Sequence, residues 1–169
     1  MDFTTLVESR YSVRSYKRSP VGEKKLQKVL EAMRLAPTAT NNQAFQFIVI
    51  HTKGRDEELR RIYNKNWFVQ APVVVCACGI PAENWVRMDG KNYNDVDVAI
   101  AMDHLILAAT NEGLGTCWIG AFDAQAAKEV LGLPEGVEPI ALTPLGYAAG
   151  ERRPRRRKEL SELVRYERW

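Results

Sequence analysis

The chain has 169 residues, 46% of them hydrophobic, and a formal net charge of only +3. This length fits one domain with a globular core, and the small charge excess argues against a strongly nucleic-acid-binding surface. No apolar run is long enough to span a bilayer and the N-terminus lacks a signal-peptide pattern, so the expected setting is cytoplasmic, without a membrane.

Asp2 to Ser9 reads as a short amphipathic helix, with Phe3, Leu6 and Val7 on one face. Ser19-Pro20-Val21 leads into a second helix that runs to about Leu35, with Leu26, Val29, Leu30 and Met33 at helical spacing. Pro37 ends it, and the polar loop Thr38-Ala39-Thr40-Asn41-Asn42-Gln43 follows. Phe45 to Ile50 is a strand, and Arg55 to about Asn66 a helix. Pro72 to Gly79 is nearly continuous in apolar residues, as expected of a central strand. Ile80 to Tyr93 is a long connection of the kind that forms pocket walls.

Asn94 to Asp123 is the stretch around which the chain is organised. It opens as a helix for which Asp95 is a candidate cap. From Val96 to Ala109 the helix is apolar almost all round, so it must be covered on more than one side, and a second copy of the chain is the expected cover. Gly113 and Gly115 stop it. Thr116 to Ile119 reads as a short buried strand, and Gly120-Ala121 opens a turn toward a helix capped by Asp123. Val137 to Gly146 is a last strand, whose Pro139 and Pro144 point to a sheet edge or irregular ends. A basic, proline-broken segment and an amphipathic tail from Leu160 to Trp169 follow. With no repeat and no linker, residues 1–169 read as a single α+β or α/β domain around a sheet of about four or five strands.

Arg10, Ser12 and Arg14 alternate, so an extended segment presents two guanidinium groups and a hydroxyl on one face. That set suits a phosphate and equally suits a solvated edge. Arg152, Arg153, Arg155, Arg156, Arg157 and Lys158 form a second cationic cluster, which joins the first only if the fold brings them close. Thr38, Asn41 and Gln43 could satisfy their own loop or read the edge of a flat heteroaromatic ligand. Cys76, Cys78 and Cys117 lie in apolar runs and read as reduced core thiols. With two histidines in the chain, C-x-C is a poor metal site, and no metal is expected. His104, inside the central helix, reads as a satisfied buried residue. There is no nucleophile elbow, P-loop, G-x-G-x-x-G or paired carboxylate set, so any chemistry belongs to a cofactor.

Four segments together resemble the FMN-dependent nitroreductase family in its short form: Arg10 to Tyr16, Ala36 to Gln43, Gly113 to Asp123, and Arg157 to Trp169. The resemblance implies an α+β nitroreductase-like sandwich, a mostly antiparallel sheet of about four or five strands flanked by helices. It also implies a homodimer with an extended C-terminal tail and FMN at the interface. Arg10, Tyr11, Ser12 and Arg14 match its N-terminal flavin motif. Arg155 and Arg157 match the basic residues that hold the phosphate. Pro37, Thr38, Ala39, Asn41 and Gln43 fall in the loop contributed by the other subunit. Ile119, Gly120 and Ala121 match the turn whose N–H groups face the flavin. Ala44-Phe45 departs from the family's Pro-Trp, Ala148 from its proline, and Thr38 from its serine.

The activity so implied is NAD(P)H-dependent reduction of nitroaromatic, quinone or similar small-molecule acceptors, by ping-pong hydride transfer through FMN. Phe45, Trp85 and Met88 are the candidate acceptor contacts. The alternatives are a non-catalytic flavin-binding or storage module, or a family variant that dehalogenates or fragments flavin. No nucleic-acid partner is expected, because the basic tail lacks interleaved aromatic residues.

Overall fold

The computed structural model describes residues 1–152 and 156–169. Among these, four strands form one antiparallel sheet in the order β1-β2-β4-β3: β1 (Phe45–His51), β2 (Val73–Gly79), β3 (Gly115–Thr116) and β4 (Glu138–Gly146). Every residue of β2 is buried, because helices cover both faces of the sheet. Val73, Val75 and Ala77 meet Leu26 and Val29 of α2 (Glu23–Arg34) and Val98, Met102 and Leu105 of α5 (Asn94–Asn111). Val74, Cys76 and Cys78 face the other way. They join Leu59 and Ile62 of α3 (Asp56–Ile62), Phe68 of α4 (Asn66–Gln70) and Ala127 of α6 (Ala124–Leu131). α1 (Phe3–Ser9) and α7 (Leu160–Leu163) lie near the chain ends and contain no buried residue.

Several details differ from the sequence expectations. The helix expected over 55–66 ends early, at Ile62, where Tyr63 turns extended, and a second short helix, α4, starts only at Asn66. Asp95 does not cap α5: the N-cap position is Tyr93, and Asp95 sits in the first turn, where its charge complements the helix dipole. β4 is an inner strand, so of the two expectations for its prolines the sheet edge fails and the irregularity holds. Pro139 falls at the register shift opposite Ala77 and Cys78, where the ladder is already irregular. Pro144 explains why the 116–119 strand is broken. The pairs Gly115–Gly146 and Ile119–Leu142 put Cys117 opposite Pro144, which has no N–H to donate. The ladder therefore has no donor at Pro144 for the Cys117 carbonyl, and the Cys117 N–H itself donates off the ladder, to Thr143 Oγ1, at 3.1 Å.

α5 buries Val98, Ala101, Met102, Leu105 and Ala109 in the core. Its opposite stripe, Val96, Ala99, Ile100, Asp103 and His104, is left partly open and lines a shallow groove of about 520 Å³ with Asp95. His104 Nδ1 lies 3.3 Å from the Ala32 carbonyl oxygen, so that ring is partnered within its own chain.

Candidate functional site

The Arg10–Tyr16 segment lies extended against residues far along the chain. Val13 N–H donates to the Thr116 carbonyl at 2.8 Å, Ala149 N–H to the Ser15 carbonyl at 2.9 Å, and Lys17 N–H to the Tyr147 carbonyl at 2.8 Å. Val13 and Tyr16 point inward and anchor the segment. Gly115 permits this approach, since a Cβ there would lie 2.5 Å from Val13 Cγ2. The Tyr16 hydroxyl donates to the Val13 carbonyl at 2.9 Å, and burial pushes its phenol well above the ordinary range. With the anchors inside, Arg10 and Ser12 are half-buried and Arg14 is exposed, its guanidinium carbon 6.0 Å from the centre of the Trp67 ring. Among the described residues neither Arg10 nor Arg14 pairs with a carboxylate. Tyr11 is half-buried against Val13, Tyr16 and Ala71.

The C-terminal basic stretch starts at the same edge. Arg152 Nη2 donates to the Glu8 carbonyl at the end of α1. The two cationic segments are therefore neighbours here. Arg155 lies outside the described residues. Arg157 is exposed, with Nη1 3.4 Å from the Arg156 carbonyl oxygen.

The turn after β3 is held at both ends. Ile119 exchanges backbone hydrogen bonds with Leu142, at 2.8 and 3.0 Å. Asp123 caps α6 by accepting from Ala126 N–H at 2.8 Å. Between them Gly120 and Ala121 are exposed backbone, and a Cβ at Gly120 would approach only Trp118 Nε1, at 3.8 Å. A flat molecule can therefore lie directly on this turn.

The Thr38–Gln43 loop is strained. Thr40, Asn41 and Gln43 have φ values of 51°, 58° and 53°. Such non-glycine residues cost about 1–3 kcal/mol each and cluster at functional sites. Thr38 Oγ1 accepts from Gln43 N–H and Gln43 Nε2 donates to the Asn41 carbonyl, each at 3.1 Å, so part of this polar set serves the loop's own backbone. Pro37, Thr38, Ala39 and Thr40 border a groove of about 440 Å³, completed by Trp85, Tyr93, Val96, Asp97 and Ile100. Trp85 packs edge-on against Tyr93, with ring centres 5.1 Å apart. Phe45 instead packs edge-on against Phe47 and the α5 core, because its place at the start of β1 turns it inward. Met88 is 103% exposed on a small hairpin closed by Arg87 N–H to the Lys91 carbonyl, away from the groove lining.

The arginine segment and the strained loop stand at opposite ends of α5. Ser12 pairs beside Thr116, after the helix C-terminus, whereas Ala39 bonds to Asp97 in its second turn. The helix has 18 residues, about 27 Å at 1.5 Å per residue. One chain therefore does not bring the two halves of the expected site together. Sequence reading missed Asn94 and Asp97, which are buried polar residues in the first turns of α5. In a list of residues, an acidic group at a helix start signals only dipole complementarity. It also missed Trp67, whose position under Arg14 has no local signal. Cys76 and Cys78 are buried with their sulfurs 3.7 Å apart, and no cluster of three metal-ligating side chains occurs among the described residues.

Fold and site together define an α+β protein with a cationic edge beside a small-residue turn. The family model described as Nitroreductase family matches residues 7–71 and 53–147, and the chain belongs to that family. A nitroreductase family protein from Clostridium difficile 630 is 35% identical and superposes with a TM-score of 0.93 over 100% of both chains. A second, from Clostridium novyi NT, is 32% identical with a TM-score of 0.79, covering 88% of this chain and 86% of that one. The FMN reductase (NAD(P)H) of Bacillus subtilis (strain 168) is 31% identical over 155 residues, which span 82% of this chain and 62% of that protein.

Proposed function

We propose that this chain is an NAD(P)H-dependent flavin oxidoreductase that works as a homodimer, with FMN held between the subunits. The observation that carries the reading is the lacing of Arg10–Tyr16 against Thr116 and Tyr147–Ala149, which holds the N-terminal arginines against the strand that leads into the Ile119–Ala121 turn, with Arg152 bonded to Glu8 close by in sequence. Two features of the residues fit FMN. The guanidinium groups of Arg10 and Arg14 have no carboxylate partner among the described residues, which leaves them for an external anion. The backbone at Gly120 has no side chain above it that would keep a flat ring away.

When bound, FMN supplies hydride acceptance from NADH or NADPH and hydride donation to a small-molecule electron acceptor. The protein's part is binding and electrostatics. Arg10 and the C-terminal arginines, Arg155 and Arg157 among them, would neutralise the phosphate, and the Ser12 hydroxyl would help to orient the ribityl chain. Arg14 stabilises negative charge at the pyrimidine end of the ring. The N–H groups of Gly120 and Ala121 donate to the ring edge. Trp85 and the Pro37–Thr40 loop form the wall on which a nitroaromatic or quinone acceptor packs, and the half-buried Phe45 supports that wall from the core.

The dimer follows from the separation of the two half-sites. If two copies of α5 cross antiparallel, the loop of one chain comes beside the arginines of the other. The uncovered stripe at Val96, Ala99 and Ile100 provides an apolar seam for that crossing. Leu160, Leu163, Tyr166 and Trp169, all exposed in one chain, extend the surface available to a partner.

The test is direct. Purified protein should carry stoichiometric FMN by absorbance and oxidise NADH or NADPH rapidly when a quinone is present. Arg10→Ala should lose FMN on gel filtration while its melting curve remains cooperative. Colourless protein that takes up no added FMN overturns the reading. Flavin-loaded protein with no NAD(P)H oxidation overturns the catalytic part of it.

A further inference from the structure

Two buried polar side chains on adjacent turns of α5 grip the strained loop at its two ends. Asp97, 2% exposed, accepts the Ala39 N–H on Oδ1 at 3.0 Å. Asn94, also 2% exposed, donates from Nδ2 to the Ala44 carbonyl at 2.7 Å. The helix spacing of three residues puts both on one face, so they act on the loop as a pair. Between the two grips lie the left-handed residues Thr40, Asn41 and Gln43. The site also makes room for the pair, since a Cβ on Gly79 would lie 1.8 Å from Asn94 Oδ1.

The pair is expensive to bury. Asp97 Oδ2 and Asn94 Oδ1 have no hydrogen-bond partner among the described residues. A half-satisfied buried carboxylate is poor evidence of a stabilising device, because removing it from water outweighs one accepted N–H. What such a residue does supply is a rigid acceptor at a fixed point on the helix, strong enough to hold a backbone N–H in a conformation the loop would otherwise leave.

We infer that Asn94 and Asp97 are positioning residues that clamp the Thr38–Gln43 loop in its strained form and so set flavin affinity without touching the flavin. This rests on the reading of that loop as the part of the FMN site contributed by the partner subunit. Asp97 is the principal grip, because an N–H bonded to a carboxylate is held more firmly than a carbonyl bonded to the neutral amide of Asn94.

The experiment compares wild type, Asp97→Ala, Asp97→Asn and Gly79→Ala by FMN titration, and by hydrogen exchange of the Ala39 amide in flavin-free protein. Asp97→Ala should weaken FMN binding about tenfold or more, the loss expected for a charge-assisted hydrogen bond, and speed Ala39 exchange. Asp97→Asn keeps a carbonyl oxygen facing Ala39 and should restore FMN affinity to within about threefold of wild type, since only the charge of the acceptor is lost. Gly79→Ala, which displaces Asn94 from the other end, should weaken FMN binding with Asp97 intact, and it carries the test if Asp97→Ala does not fold. Unchanged FMN affinity in Asp97→Ala, or in Gly79→Ala where that variant stands in, overturns the clamp. So does an Asp97→Asn variant as defective as Asp97→Ala. If wild type itself takes up no FMN, the flavin reading fails, while unchanged or accelerated Ala39 exchange in Asp97→Ala still decides whether the grip exists.

Discussion

Val13 and Thr116, from opposite parts of the chain, are joined by a 2.8 Å backbone hydrogen bond, and Val13 packs where a side chain on Gly115 would stand. With the bonds of Ser15 to Ala149 and of Lys17 to Tyr147, this contact registers the N-terminal arginines against the strand that precedes the Gly120 turn. Arg10, Ser12 and Arg14 owe their alignment to these bonds, because an extended segment pinned along its length has its alternate side chains fixed on one face.

Gly115→Ala tests that registry. The new Cβ would sit 2.5 Å from Val13 Cγ2, so Val13 and the segment around it must shift. FMN affinity should fall about tenfold, on the scale of one charge-assisted hydrogen bond lost. The core should survive, since the strain falls on an extended segment at the sheet edge. Fluorescence titration with FMN and a thermal melt measure the two effects; native affinity in the variant would mean that the registry does not matter to binding.

Ala99→Glu tests the seam on α5. Ala99 lies on the partly open stripe, away from the core of its own chain, so the single subunit should fold. A buried, unpaired charge at a dimer seam is strongly unfavourable, so light scattering should report monomers. Those monomers should fail to retain FMN, because each would hold only half of the site. A dimeric, flavin-loaded variant would refute the α5 interface.

Asp123→Ala removes the cap of α6, whose carboxylate accepts the Ala126 N–H. Loss of such a cap costs about 1 kcal/mol. In a chain of this size that lowers Tm by about 2–4 °C. FMN affinity should change little, because the Ile119–Leu142 pair independently fixes the near side of the Gly120 turn. Asp123→Asn should restore most of the stability. A large loss of flavin in Asp123→Ala would mean that α6, and not the sheet, holds the turn.

Much of the fold was legible in local pattern. The unbroken apolar run of β2 announced a strand covered on both faces, and the structure buries every residue of it. Asp123 and Gly132 bracket α6 as their chemistry demands, one as an N-cap and the other with φ of 65°. The two prolines of β4 left an edge or an irregular ladder open, and only the second holds, because the missing N–H of Pro144 says that one hydrogen bond is absent, not that a strand has no neighbour. Its effect fell on the other side of the ladder, where β3 ends early opposite it.

The site divides in the same way. Residue types spaced along Arg10–Arg14 and through the Ile119–Ala121 turn carry their chemistry with them, since alternation and small size act within a few residues. The proximity of Arg152 to Glu8, the grip of Asp97 on Ala39 and the placing of Trp67 under Arg14 are contacts between distant positions. Local pattern encodes the strands, helices and caps, because backbone hydrogen bonding and side-chain periodicity are short-range. Packing alone chose which chain ends meet, which end of α5 each half-site occupies and which stripe of that helix stays uncovered, because those outcomes depend on how whole layers close over the sheet.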